Sequence, residues 1–173
     1  MKNLKMSVAA ILLMVVSFAN AQEKDKMDHS KMDMDGMQMA PEFNNENLAK
    51  AYEQYLQVKE ALVNSNPDKV QNSAKMLNKS LGAVDGSNEA QKVAKNMAGS
   101  TDLESLRKSF SELGLAMEPL LKDDLKSGKI YKDFCPMALG GKGAYWLSSI
   151  EEIRNPYYGS KMLSCGKVEK VIQ

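Results

Sequence analysis

Residues 101–128 read TDLESLRKSFSELGLAMEPLLKDDLKSG. Leu103, Leu106, Phe110, Leu113, Met117, Leu120 and Leu121 recur at the spacing of one helix face. Thr101 and Glu104 have the separation of a capping box, which predicts a helix start there. Pro119 predicts a kink or interruption, and Gly128 predicts the end. A helix with one apolar face must bury that face against other elements.

The chain upstream supplies the partners. From Asn44, Leu48, Ala51, Tyr52, Tyr55, Val58 and Leu62 fall on one helical face. Asn66 suits an N-cap and Pro67 the first helical position of a second helix, whose stripe is Val70, Ala74, Leu77 and Leu81. Gly82 and Asp85-Gly86 break it. Ser87 is placed to cap a third helix carrying Ala90, Val93, Ala94 and Met97, which Gly99 ends. Four amphipathic helices with short connections predict an antiparallel bundle.

After Gly128 the pattern changes. Ile130–Cys135 and Ala144–Leu147 read as two short strands of a hairpin around Gly140-Gly141-Lys142-Gly143. Asn155-Pro156-Tyr157-Tyr158-Gly159 is turn-rich and aromatic, and Val168 to Ile172 closes the chain. The expected fold class is therefore mainly α. Residues 44–173 form a bundle of about four helices with a small C-terminal β-hairpin and an irregular cap.

Residues 1–21 carry a different signal. Lys2 and Lys5 precede an apolar run, Val8 to Val16, and then Ala19-Asn20-Ala21. This is the pattern of a secretory signal peptide cleaved near Ala21. The run is shorter than the roughly 20 residues a membrane span needs. The expectation is an exported, periplasmic chain with no membrane span in its mature form. Residues 22–43 are polar and lack apolar periodicity, so they read as a disordered tail.

Composition removes several function classes. Lys+Arg number 23 against 22 Asp+Glu, a balance with no basic footprint for nucleic acid. The single histidine, His29, lies in the tail, so neither a blue-copper His₂Cys centre nor a His-ligated zinc site can be assembled in the helical domain. Asp123-Asp124 and Glu151-Glu152 are adjacent pairs that do not share a helix face, and they read as solvated charge. Lys142 lacks the spacing of a phosphate-binding loop. No catalytic residue is expected.

Sulfur is the outlier, with 13 Met and two Cys. Met27, His29, Met32, Met34, Met37 and Met39 crowd into the tail, interleaved with Asp. Thioether sulfur is soft and uncharged, so it favours Cu(I) or Ag(I) over hard cations. Met-x-Met spacings let one flexible chain wrap several sulfurs around an ion, and His29 adds a nitrogen ligand. The second group is Cys135-Pro136-Met137 with Met162-Leu163-Ser164-Cys165. Two thiolates and one or two thioethers would make a Cu(I) site, provided the fold joins the segments. A Cys135–Cys165 disulfide is an equal reading from spacing, since two cysteines in an exported chain usually pair. Oxidation would abolish the metal site, and bound metal would protect the thiols. Met137 and Met162 also read as packing residues, as do Tyr145, Trp146, Tyr157 and Tyr158.

Tyr131-Lys132-Asp133-Phe134-Cys135-Pro136-Met137-Ala138, Gly143-Ala144-Tyr145-Trp146-Leu147-Ser148, Arg154-Asn155-Pro156-Tyr157-Tyr158-Gly159 and Met162-Leu163-Ser164-Cys165-Gly166 resemble a family of uncharacterised bacterial periplasmic domains. Such domains occur free-standing or fused to periplasmic adaptor subunits of copper/silver-type heavy-metal efflux pumps of the resistance-nodulation-division class. The resemblance is specific over about residues 130–168 and looser over the helices from about 45 to 128. It implies a helical domain, metal handling near an efflux system, and Cys135, Met137, Met162 and Cys165 as the sulfur positions. The expected function is capture of Cu(I) for sequestration or transfer to an efflux adaptor, without enzymatic activity. The rival expectation is an envelope interaction module with a structural disulfide. A thiol redox enzyme ranks behind both, because no Cys-x-x-Cys motif is present.

Overall fold

The computed structural model describes residues 40–173. The mainly helical expectation is met. Helices α1 (Glu46–Val63), α2 (Pro67–Leu81), α3 (Asn88–Ala98) and α4 (Leu103–Asp124) pack in sequence, each against the next, and α4 returns to α1. Their inward stripes make one core, with Tyr55, Leu62, Leu77, Leu81, Met97, Leu106, Phe110, Leu113 and Met117 all fully buried. No helix among the described residues is long and apolar enough to cross a membrane.

The helix starts follow capping chemistry. Asn45 Oδ1 accepts from the Asn47 and Leu48 N–H groups, and Asn66 Oδ1 accepts from Lys69 N with Pro67 opening α2. Two expected caps differ. At α4 the cap is Asp102, not Thr101: its carboxylate accepts from Ser105 N at 2.8 Å. Hydrogen bonds from the Ser105 hydroxyl and then from its N–H hold this carboxyl below the usual carboxylate range. Ser87 precedes α3, but its hydroxyl donates to Leu81 O at 2.6 Å instead of capping, which ties the α2–α3 turn.

Helix α4 neither breaks at Pro119 nor lasts to Gly128. Pro119 and Leu115 lie on the exposed face, so the carbonyl that Pro119 cannot bond is open to water. The helix stops at Asp124 because Leu125–Ser127 becomes strand β2, paired antiparallel with strand β1, Glu42–Phe43. Asp124 then binds the start of α1, its carboxylate accepting from Asn45 N at 2.9 Å and its carbonyl from Asn44 N at 3.1 Å. The tail expected to run to Phe43 thus gives way to paired backbone at Glu42, and Phe43 packs edge-on against Tyr52.

The cap is a three-stranded antiparallel sheet ordered β4-β3-β5, with β3 Ile130–Cys135 central, β4 Ala144–Ser148 and β5 Lys167–Ile172. The expected hairpin is present, with Asp133 opposite Trp146 and Cys135 opposite Ala144. The chain terminus adds β5, which sequence reading left unassigned. Strand β4 lies against α4, and side chains satisfy its outer edge. Leu147 N donates to the Tyr55 hydroxyl at 3.0 Å, and the Tyr157 hydroxyl donates to Tyr145 O. Gly114 permits this approach: a Cβ there would stand 3.2 Å from the Tyr55 hydroxyl. A file of rings, Tyr52, Tyr55, Phe110, Tyr157 and Trp146, runs from bundle to cap with each pair in contact.

Candidate functional site

Alternation along β3 turns Tyr131, Asp133 and Cys135 inward and leaves Lys132 and Phe134 less buried. Cys135 is fully buried at the end of the strand. Pro136 and Met137 follow, and a tight turn at Ala138–Gly141, left-handed at Leu139 and Gly140, leads back into β4. The Tyr158 hydroxyl donates to Met137 O at 2.6 Å and fixes the start of that turn.

The second cysteine comes from the segment between β4 and β5. Asn155, fully buried, organises it. Its backbone N–H donates to Leu163 O at 2.8 Å, and its Nδ2 donates to Cys165 O at 2.6 Å. Its Oδ1 accepts from Tyr157 N at 2.7 Å and Tyr158 N at 3.2 Å. Arg107 on α4 donates to Pro156 O at 3.1 Å and anchors the segment to the bundle. Gly166 lets the Cys165 turn close down on the sheet: its φ is 145° and a Cβ would lie 2.9 Å from the Trp146 ring.

The outcome is a Cys135 Sγ to Cys165 Sγ separation of 3.2 Å across 30 residues of sequence, with both thiols free. A disulfide needs about 2.05 Å. Two sulfurs bound to one ion at about 2.3 Å each, with a tetrahedral angle, stand roughly 3.8 Å apart. The pair lies between these geometries, and a shift of about an ångström either way reaches one of them. Cys135 is buried and Cys165 is partly exposed. The hydrogen bond with Cys135, assisted by burial and by charge repulsion, raises the Cys165 thiol above its usual range.

Met137 is half exposed and Met162 is partly buried, on the two segments that carry the cysteines. Among the described residues no group of three or more His, Cys, Asp or Glu converges on a point that would hold a metal. Met27, His29, Met32, Met34, Met37 and Met39 lie outside the described residues.

Sequence reading passed over two features beside the pair. The first is Asn155, read only as part of a turn. The second is Asp133, fully buried, with neither carboxylate oxygen hydrogen-bonded among the described residues. Burial pushes its carboxyl up to about 7, against the attraction of Lys59 and the influence of the Trp146 indole. Lys59, itself buried, donates to Ser148 Oγ at 2.9 Å, and its ammonium is depressed by burial. The sign of Asp133 was legible, since strand alternation puts it on the same inward face as Cys135.

These elements define a helical domain whose C-terminal sheet carries an asymmetric dithiol. Residues 51–128 match the model of an uncharacterised domain family described as "Protein of unknown function (DUF3347)". The match runs from within α1 through β2 and ends before β3, so both cysteines lie beyond it. No curated protein and no solved structure matches the chain.

Proposed function

We propose that this protein captures Cu(I), or Ag(I), through sulfur outside the inner membrane and holds it for sequestration or for transfer to the adaptor of a heavy-metal efflux pump. The observation that carries this reading is the 3.2 Å approach of Cys135 and Cys165, with one sulfur partly exposed. An opening of roughly 0.6 Å brings the pair to the spacing of two sulfurs on one tetrahedral ion, and Met137 and Met162 are on the adjoining segments to complete the shell. The methionines between Met27 and Met39 add further thioether sites for the same soft ions. Handover by ligand exchange requires no chemical step, so no enzymatic activity is proposed. Export by a signal peptide over residues 1–21 places the protein where free thioethers are useful ligands.

The test is an anaerobic Cu(I) competition titration against a chromophoric chelator. It uses the full chain, a Cys135→Ser/Cys165→Ser variant, and a variant with the five tail methionines changed to Ser. The expected result is one tight ion lost in the cysteine variant, with affinity down at least about 30-fold, or about 2 kcal/mol. Loss of the tail methionines lowers the number of weakly held ions. If wild type and the cysteine variant compete equally, the thiols are not a copper site. The complete burial of Cys135 favours a second reading in that case: an envelope interaction module in which the pair becomes a structural disulfide.

A further inference from the structure

The two sulfurs are close but unequal. Cys135 belongs to the central strand of the sheet, paired across to Ala144 and fully buried. Cys165 sits in a turn, closed by its N–H to Met162 O at 3.1 Å, and is partly exposed. A solution disulfide can reach Cys165 and cannot reach Cys135 without opening the cap. Cys135 Sγ nevertheless lies 3.2 Å behind Cys165 Sγ, within reach of attack once Cys165 is modified. Asn155 holds the Cys165 carbonyl at 2.6 Å, which fixes the backbone that carries its thiol.

We infer from this asymmetry that the pair is an exchangeable dithiol, in which Cys165 receives oxidising equivalents from a small-molecule or protein disulfide and Cys135 resolves the adduct. In the first step the Cys165 thiolate attacks one sulfur of R–S–S–R′. A Cys165–S–S–R bond forms, the R–S–S–R′ bond breaks, and R′S⁻ leaves. In the second step the Cys135 thiolate attacks Cys165 Sγ, forms the Cys135–Cys165 disulfide and expels RS⁻. The two protons of the protein thiols end on RS⁻ and R′S⁻. Two thiols are oxidised and one disulfide is reduced. A further consequence, which rests on the copper reading, is that the closed disulfide has no thiolate left to hold Cu(I). Oxidation then releases the ion and reduction restores the site.

The experiment exposes the reduced full chain to oxidised glutathione, quenches with an alkylating agent, and follows products by intact mass and fragment mapping. Wild type is expected to close to the intramolecular disulfide with at most a transient glutathione adduct, mapped to Cys165. Cys135→Ala, which keeps the buried position apolar, is expected to accumulate one stable adduct on Cys165. Cys165→Ser is expected to be modified at least about tenfold more slowly, because its remaining thiol reacts only through local opening. Equal rates for the two single variants, an adduct that persists in wild type, or failure of wild type to close would each overturn the assignment. If Cys135→Ala does not fold, the position of the transient wild-type adduct decides the same question. Cu(I) titration of reduced and oxidised wild type separates this inference from the copper reading. Exchange without Cu(I) binding to the reduced form leaves the dithiol standing and removes copper. Cu(I) binding without exchange does the reverse.

Discussion

The helical bundle and the C-terminal cap are held together by different means. In the bundle, apolar side chains at helical spacing meet along α1 to α4, and few side-chain hydrogen bonds cross between helices. In the cap, distant side chains bind backbone: Tyr55 to Leu147, Tyr157 to Tyr145, Tyr158 to Met137, Asn155 to Cys165 and Arg107 to Pro156. Apolar burial is spread over many residues and degrades gradually when one is trimmed. A backbone group held by one side chain loses its only partner when that side chain goes. The dithiol was placed in the second kind of structure, so its geometry rests on a handful of residues.

The sharpest way to break the distinction is to damage the part the regions share. Phe110 is fully buried on α4 and contacts both Tyr55 and Tyr157. Phe110→Ala is expected to cost about 3–5 kcal/mol in chemical denaturation. Bundle and cap should unfold in one transition. Two separate transitions would mean that the aromatic file does not couple them.

Asn155→Ala should separate the regions. It strands Cys165 O and the Tyr157 and Tyr158 N–H groups, with a cost of about 3 kcal/mol concentrated in the segment 153–166. Hydrogen exchange should rise there while α2 and α3 keep their protection, and Cys165 should alkylate faster. Uniform loss of protection would contradict the proposed locality.

Asp133 sharpens the comparison through pH. Its folded-state pKa of about 7 lies above its ordinary value of 3.8. A carboxyl so raised is fully compatible with the fold below the unfolded pKa and penalises it increasingly as pH climbs through the folded one. Wild type should therefore lose stability between about pH 4 and pH 7, on the order of 4 kcal/mol. Asp133→Asn should flatten that slope and gain relative to wild type at pH 8. An unchanged slope would show that Asp133 is not the group responsible. The smallest effect is expected from Tyr55→Phe, about 1 kcal/mol, since it leaves the ring contacts and removes only the acceptor for Leu147 N.

Legibility in the sequence followed the same division. Apolar stripes located all four helices, and Asn66-Pro67 located the start of α2, because those signals are local. Strands β3 and β4 were visible from alternation and glycine. Errors arose where a distant partner decided the outcome. Leu125–Ser127 left the helix to pair with Glu42–Phe43, and Ser87 turned to Leu81 O. Strand β5 was hidden by Lys167, Glu169 and Lys170, the charges that an exposed sheet edge carries. At the candidate site, the two cysteines were legible as a pair. What joins them was not, since Asn155 and Gly166 act through contacts with particular distant atoms that no periodicity records. The tail residues Met27 to Met39 remain a reading of sequence alone.

Trp146 is the only tryptophan in the chain. It stands 5.9 Å from the Tyr157 ring, shares the inward face with Cys135, and presses on Gly166 beside Cys165. The neighbouring tyrosines can pass excitation to it, and thiols, disulfides and copper quench indole light to different degrees. The domain thus contains its own optical gauge: its ultraviolet emission should register the state of the sulfur pair in intact protein, without label or substitution.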